Sequence, residues 1–218
     1  MPALPWPPLW WRSRAWFVGV LLANATLAQT NPCNPTFYPT DPNLQRQYHV
    51  LGGNQTYLQT FAATSSTLTE IRKYPDHTEQ TPWTCSDQGL STLPEGEQSI
   101  PGGSVRLTKL TGVIIPSDET WKVGKSWIYR YELKGKIALF DLSGFLEVTN
   151  RVVAKETVEV PAGKFEALRI EASFQGQFGM GFGGKATYWF AQGVGVVKQL
   201  SEGSFGGQSL ELVELKRG

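Results

Sequence analysis

The chain has 218 residues, with 20 Lys and Arg against 19 Asp and Glu, two His, two Cys and eight Trp. Setting aside residues 1–28, which hold Arg12, Arg14 and no acid, leaves 18 basic against 19 acidic groups, a formal charge of −1. That balance excludes the broad basic footprint that nucleic acid or an anionic surface demands of a whole domain.

In chain order, the first element is a secretory signal peptide over residues 1–28. Arg12 and Arg14 precede the uncharged run Ala15-Trp-Phe-Val-Gly-Val-Leu-Leu-Ala23, and Asn24-Ala-Thr-Leu-Ala28 follows it. Thr26 and Ala28 supply the small residues three and one places before a cut after Ala28. The run is too short to span a bilayer before Asn24 interrupts it. The expected product is periplasmic or secreted, and not an integral membrane protein once the signal is cleaved. Export makes pairing the default for Cys33 and Cys85.

The remainder reads as mainly β. Period-two alternation predicts strands at 47–51, 56–62, 67–72, 105–115, 126–133, 138–149, 152–160, 164–174, 186–190, 194–200 and 209–215. Trp127, Tyr129, Tyr131 and Leu133 share one face of their strand. The apolar phase shifts at Ala167-Leu168, as a bulge would make it. Pro161-Ala162-Gly163 predicts a tight hairpin. The breaker-rich run Leu93-Pro-Glu-Gly-Glu-Gln-Ser-Ile-Pro-Gly-Gly103 divides a first β half, residues 29–100, from a second, residues 101–218, within one compact unit. Trp83-Thr-Cys-Ser-Asp-Gln-Gly-Leu90 echoes Trp189-Phe-Ala-Gln-Gly-Val194, which raises a duplicated antiparallel unit against chance matching.

Val158-Glu-Val-Pro-Ala-Gly-Lys-Phe-Glu-Ala-Leu-Arg-Ile170, followed by Tyr188-Trp-Phe-Ala-Gln-Gly-Val-Gly-Val-Val197, resembles a family of exported bacterial domains of unknown function. Lys122-Val-Gly-Lys-Ser-Trp-Ile-Tyr129 is similar to that family's opening strand, so the resemblance covers about residues 122–200. It implies a strongly curved antiparallel sheet, an incomplete barrel or sandwich like the periplasmic lipoprotein carriers. It implies no activity and supplies no catalytic residue.

The remaining motifs weigh against enzymes. Gly179-Met-Gly-Phe-Gly-Gly184 fits a dinucleotide pattern, but that pattern acts only where a helix N-terminus follows, and Thr187-Tyr-Trp-Phe190 reads as a strand. His49 and His77 lack a third ligand for zinc, and no Gly-x-Ser-x-Gly elbow supports a hydrolase, which stays the third reading. Asp118-Glu119 reads as a solvated turn. No cofactor and no metal is expected. The aromatic strands remain. Trp127, Tyr129, Tyr131, Tyr188 and Phe190 either pack a core or line a concave face for a hydrophobic small molecule or lipid. The expectation is an exported, non-enzymatic envelope protein that binds such a ligand, with a protein–protein interaction module of the envelope as the alternative.

Overall fold

The structure, a computed structural model, describes residues 33–64, 67–100, 102–203 and 208–218. The signal-peptide expectation for residues 1–28 lies outside them. The first half forms β1 (Leu44–Val50), β2 (Thr56–Ala63), β3 (Leu68–Lys73), β4 (Thr78–Ser86) and β5 (Gly89–Ser91). The last residues of the first half form β6 (Gln98–Ile100), and the second half forms β7 (Gly103–Thr111), β8 (Ile115–Pro116), β9 (Ser126–Ile137), β10 (Phe140–Val160), β11 (Gly163–Phe178), β12 (Met180–Ala191), β13 (Gly195–Gly203) and β14 (Leu210–Arg217). A single 3₁₀ turn, Asp118–Thr120, is the helical element among the described residues.

All the strands join one antiparallel sheet in the order β6-β7-β9-β10-β11-β12-β13-β14-β1-β2-β3-β4-β5-β8. The two halves are therefore contiguous in the sheet and meet where β14 pairs with β1. The exceptions are β6, which joins the second half beside β7, and β8, which crosses to the far edge and pairs with β5. Residues 112–114 alone separate it from β7, so this short link spans the two ends of a sheet that does not close into a barrel. Curvature is visible in the core: Phe61, Leu68, Leu90 and Ile115 pack with Val152, Leu168, Ile170 and Phe190. Strands far apart in the order can share a core only if the sheet bends back on itself. The expected curved, incomplete barrel is what the chain builds.

Side-chain patterning explains the strand boundaries. Pro161 and Ala162 form the two-residue loop between Val160 and Gly163, and Gly163 takes a positive φ of 131° that side chains avoid. The glycine-rich run is strand, not phosphate loop. Phe174 lies opposite Gly184 and Phe182 opposite Gly176, and a β-carbon on either glycine would collide with the facing ring. Glycine there makes room for an aromatic ring laid across the neighbouring strand.

Three strand expectations need correction, the first being 105–115, which divides into β7 and β8 because Ile115 pairs with β5 at the far edge. The strands expected at 138–149 and 152–160 are a single strand, β10, which starts at Phe140 after the Ala138-Leu139 turn and keeps pairing with β11 past Asn150 and Arg151. The phase change at Ala167-Leu168 is present in burial, but β11 keeps an unbroken register with β12 there. The register shifts fall in the flanking pairs instead, between Val152 and Ala154 and between Trp189 and Phe190. Ala167 packs into one core cluster and Leu168 into another, so the two sides of β11 are covered in turn. The strand β4 has no counterpart among the predicted elements. Its residues are largely exposed and polar, and Pro82 interrupts its pairing potential on an edge.

Residues 33–43 lie across one end of the curved sheet. Cys33 is bonded to Cys85 on β4. Thr36 donates its N–H and its hydroxyl to the two oxygens of Asp118, each at 2.7 Å, and its carbonyl accepts from the Gly193 N–H. Asp118 is thus an anchor for the N-terminal segment, not a solvated turn acid. Phe37 stacks on Trp121 with ring centres 5.4 Å apart. The disulfide closes a separation of 52 residues. Replacing both cysteines with serine should lower unfolding free energy by about 4 kcal/mol on the chain-entropy scale. Denaturant titration measures this directly; an unchanged midpoint would show the segment is held without the bond.

Candidate functional site

The inward rows of β1, β2 and β3 share an unusual composition. Leu44, Arg46 and Tyr48 alternate inward on β1, Tyr57, Gln59 and Phe61 on β2, and Leu68, Glu70 and Arg72 on β3. The middle member of each row is polar or charged. Register sets Arg46 opposite Gln59 and Gln59 opposite Arg72, so these groups form one layer across three strands. Arg46 is 2% exposed and Glu70 1% exposed.

Such burial is tolerable only with full hydrogen bonding. Glu70 accepts from Gln59 Nε2 at 2.7 Å, Arg72 Nε at 2.6 Å, and Tyr38 Oη and Trp83 Nε1 at 3.1 Å each. Arg46 donates Nη2 to the Pro39 carbonyl at 2.6 Å, Nε to the Val194 carbonyl and Nη1 to Gln59 Oε1 at 3.4 Å. Gly195 makes room for it: a β-carbon there would lie 3.3 Å from Arg46 Nε, and the backbone takes a positive φ of 100°. The N-terminal segment supplies both Tyr38 and the Pro39 carbonyl, so the disulfide-held plug completes the layer.

A cleft of about 430 Å³ opens from this layer toward solvent. Arg72 and Gln59 stand at its inner end, and Gln199 and Gln208 contribute amides. Tyr48, Tyr57 and Tyr74 form its aromatic wall, with successive ring centres 5.2 Å and 5.0 Å apart. His77 continues the row, stacked on Tyr74 at 4.4 Å. Tyr48 Oη donates to the Val196 carbonyl at 2.7 Å.

The electrostatics favour donors over acids. Burial raises the Tyr48 phenol to about 12 and pushes Tyr38 and Tyr57 upward as well, so all three keep their protons. For Glu70, burial alone would raise the carboxyl. The charge of Arg72 and the hydrogen bonds from Gln59, Arg72 and Tyr38 outweigh it and hold the group below the ordinary 4.5. Arg46, Glu70 and Arg72 leave one net positive charge in the layer, and the Glu79 carboxylate faces the same cleft beside Tyr74 and His77. His77 is raised by its hydrogen bond to Asp76, 2.8 Å away, at the exposed rim.

The residues proposed from sequence as a ligand wall lie elsewhere. Trp127, Tyr188 and Phe190 belong to the main core cluster, Trp127 donating Nε1 to the Ile114 carbonyl at 3.0 Å. Tyr129 and Tyr131 pack edge to face in the distal cluster, and Tyr131 donates to the Thr92 carbonyl at 2.8 Å. None of the five lines the tyrosine cleft. His49 contacts the Gly53 carbonyl at 3.0 Å, within its own turn. Among the described residues no group of three His, Cys, Asp or Glu is placed to hold a metal, and no helix is long and apolar enough to cross a membrane. A polar residue at the centre of the inward row, repeated on three successive strands and flanked on both sides by apolar or aromatic residues on β1 and β2, is the sequence signal for the cleft.

Comparison with known proteins places the fold. Residues 136–202 match the DUF3108-like family, overlapping all but the first part of the stretch that carries the resemblance. None of the curated proteins compared with this chain matches it. A Bacteroides fragilis protein with a YmcC-like fold, described as exported, superposes with a TM-score of 0.50 at 14% identity, over 84% of this chain and 100% of its own. A Parabacteroides distasonis protein described as a lipoprotein aligns at TM-score 0.45 and 10% identity, over 84% and 99% of the two chains. The hypothetical lipoprotein YmcC of Escherichia coli aligns at 0.42 and 10%, over 82% and 85%.

The lowered Glu70 carboxyl gives a signed pH prediction. Its stabilisation is fully present above the unfolded value near 4.5 and is lost as pH falls through the lower folded value. Glu70→Gln should cost about 2–3 kcal/mol at neutral pH, less than a fully buried pair because Arg72 keeps solvent contact. It should also flatten the acid limb of the stability curve. Denaturation followed from neutrality down through pH 4.5 checks both; parallel curves for the two proteins would contradict the ionised network.

Proposed function

We propose that this chain is an exported, non-enzymatic binding protein of the bacterial cell envelope, and that the tyrosine cleft holds a small amphiphilic ligand with an acidic group. Support for the envelope comes from the sequence address, the disulfide, and the Bacteroides fragilis protein of the same fold described as exported. The observation that carries the binding reading is Arg72. Its guanidinium lines the cleft while its Nε is held by Glu70, so the charge is oriented before any ligand arrives. A guanidinium presents donors in a rigid fork suited to carboxylate or phosphate oxygens. Tyrosine rings beside it offer flat apolar contact with polar edges, and Gln59, Gln199 and Gln208 supply further hydrogen-bonding groups.

The same features argue against catalysis. The phenols are held protonated, the buried carboxylate is saturated with donors, and the exposed His77 has its own rim partners Asp76 and Glu79. The interaction-module alternative would use the stretches of β7 and β4 that the short strands β6 and β5 leave unpaired, and no observation there favours a partner over the cleft.

Native mass spectrometry of the protein exported by a bacterial host tests the proposal. The wild type should carry a small non-protein mass that Arg72→Gln reduces at least tenfold and Tyr57→Ala also weakens. A wild type that is always empty, and whose thermal stability ignores acidic amphiphiles, would overturn it.

A further inference from the structure

Two turns at one end of the sheet push large apolar side chains into water. Leu139 is 94% exposed, Phe140 72% and Met180 74%. The turns are neighbours, since a β-carbon on Gly179 would lie 3.1 Å from Leu142 and 3.6 Å from Ile137. Isolated apolar residues on a surface need no explanation, but three on two adjoining tips form a patch.

The local chemistry is costly in two independent ways. Ile137 pairs with Phe140, leaving Ala138 and Leu139 as a two-residue hairpin loop. Such loops call for positive φ and are filled best by Asn-Gly. Ala138 instead adopts a φ of 52°, the one non-glycine residue with positive φ among those described. Behind the loop, Arg106 sits directly opposite Lys134 across the β7–β9 ladder, a like-charge pair that disfavours the sheet. Lys136 follows at the rim, paired with Asp141 at 3.5 Å, and Glu97 is the other acid nearby. An apolar, strained turn with a basic collar is not what folding stability selects.

We propose that this end of the sheet is a membrane-docking tip. Leu139, Phe140 and Met180 enter the boundary between headgroups and acyl chains of a phospholipid bilayer, while Arg106, Lys134 and Lys136 meet lipid phosphates. A bilayer accepts protruding apolar knobs without a preformed pocket, and basic side chains just behind such knobs reach the phosphate level. Four clefts of the described surface mix polar, charged and apolar side chains, and none offers these knobs an all-apolar seat on a second copy of this chain. The small net charge of the whole chain fits a contact confined to one tip. The tip and the tyrosine cleft share no residue.

The test uses the exported protein and vesicles of phosphatidylethanolamine with a minor share of phosphatidylglycerol. Wild type should co-sediment with the vesicles. Replacing Ala138→Asn together with Leu139→Gly supplies the preferred turn residues, so it should raise thermal stability while lowering the bound fraction about tenfold. Met180→Gln, at an exposed position, should lower binding without changing stability, and Lys134→Gln should weaken binding only when phosphatidylglycerol is present. Wild type that ignores vesicles, or a turn variant that binds as well as wild type, overturns the proposal. So does a lipid-free dimer that the turn variant dissociates, since the tip would then join two copies.

Discussion

One buried carboxylate organises this molecule. Glu70 lies between apolar clusters, and its four donors come from the N-terminal segment, β2, β3 and β4. A carboxylate removed from water is sustained only while its partners stay in place. Each donor segment is therefore constrained by the same group. Arg46 extends the constraint to the start of β13 and to the plug through the Val194 and Pro39 carbonyls. Ion pairs of this kind add little net stability over a well-packed apolar core. Their effect is geometric: they hold a polar floor beneath the tyrosine cleft, and the cleft exists because that layer is not filled with aliphatic side chains.

The sheet architecture serves the same end. Bending brings β2 and β3 to face β11 and β12 across one core, and residues 112–114 tie the two ends together. β13 and β14 share only the pairs Lys198–Glu211 and Gln199–Leu210, so the sheet splays on either side of them. On one side the β10–β11 hairpin enters the gap and Ala162 donates to the Leu212 carbonyl. Val196, Gln199 and Leu210, within and beside the short pairing, border the cleft. A weak seam in the ladder thus becomes an opening with a defined wall.

Much of this fold is legible in the amino-acid order alone. Alternation locates most strands, Pro161 and Gly163 locate a hairpin, and export points to the disulfide. The gaps have physical causes. β4 is polar and carries Pro82, so its existence follows from pairing with β3 and from the Cys85 bond rather than from its own pattern. The phase change in β11 is local, but its cause lies in neighbouring strands that carry the shifts and in the different clusters that cover Ala167 and Leu168. Aromatic abundance points to Trp127 and its neighbours, whereas the cleft rests on Tyr48 and Tyr57, which read as ordinary members of two short strands, and on Tyr74, just past the end of a third. Charged residues at Arg46 and Glu70 would by convention be placed outside; only the inward parity of their flanking Leu, Tyr and Phe residues marks them as interior.

Two sets of aromatic rings therefore compete for the functional role, and spectroscopy can separate them. The most direct measurement is nuclear magnetic resonance of protein labelled at its tyrosine and tryptophan rings and at its arginine side-chain nitrogens, titrated with the ligand released from the exported protein or with acidic amphiphiles. Binding in the cleft predicts shifts at Tyr48, Tyr57 and Tyr74 and at the Arg72 Nε–H, with Trp127, Tyr129, Tyr131 and Tyr188 unmoved. Shifts confined to the second set would show that the binding face is the aromatic core and would contradict the assignment of the cleft.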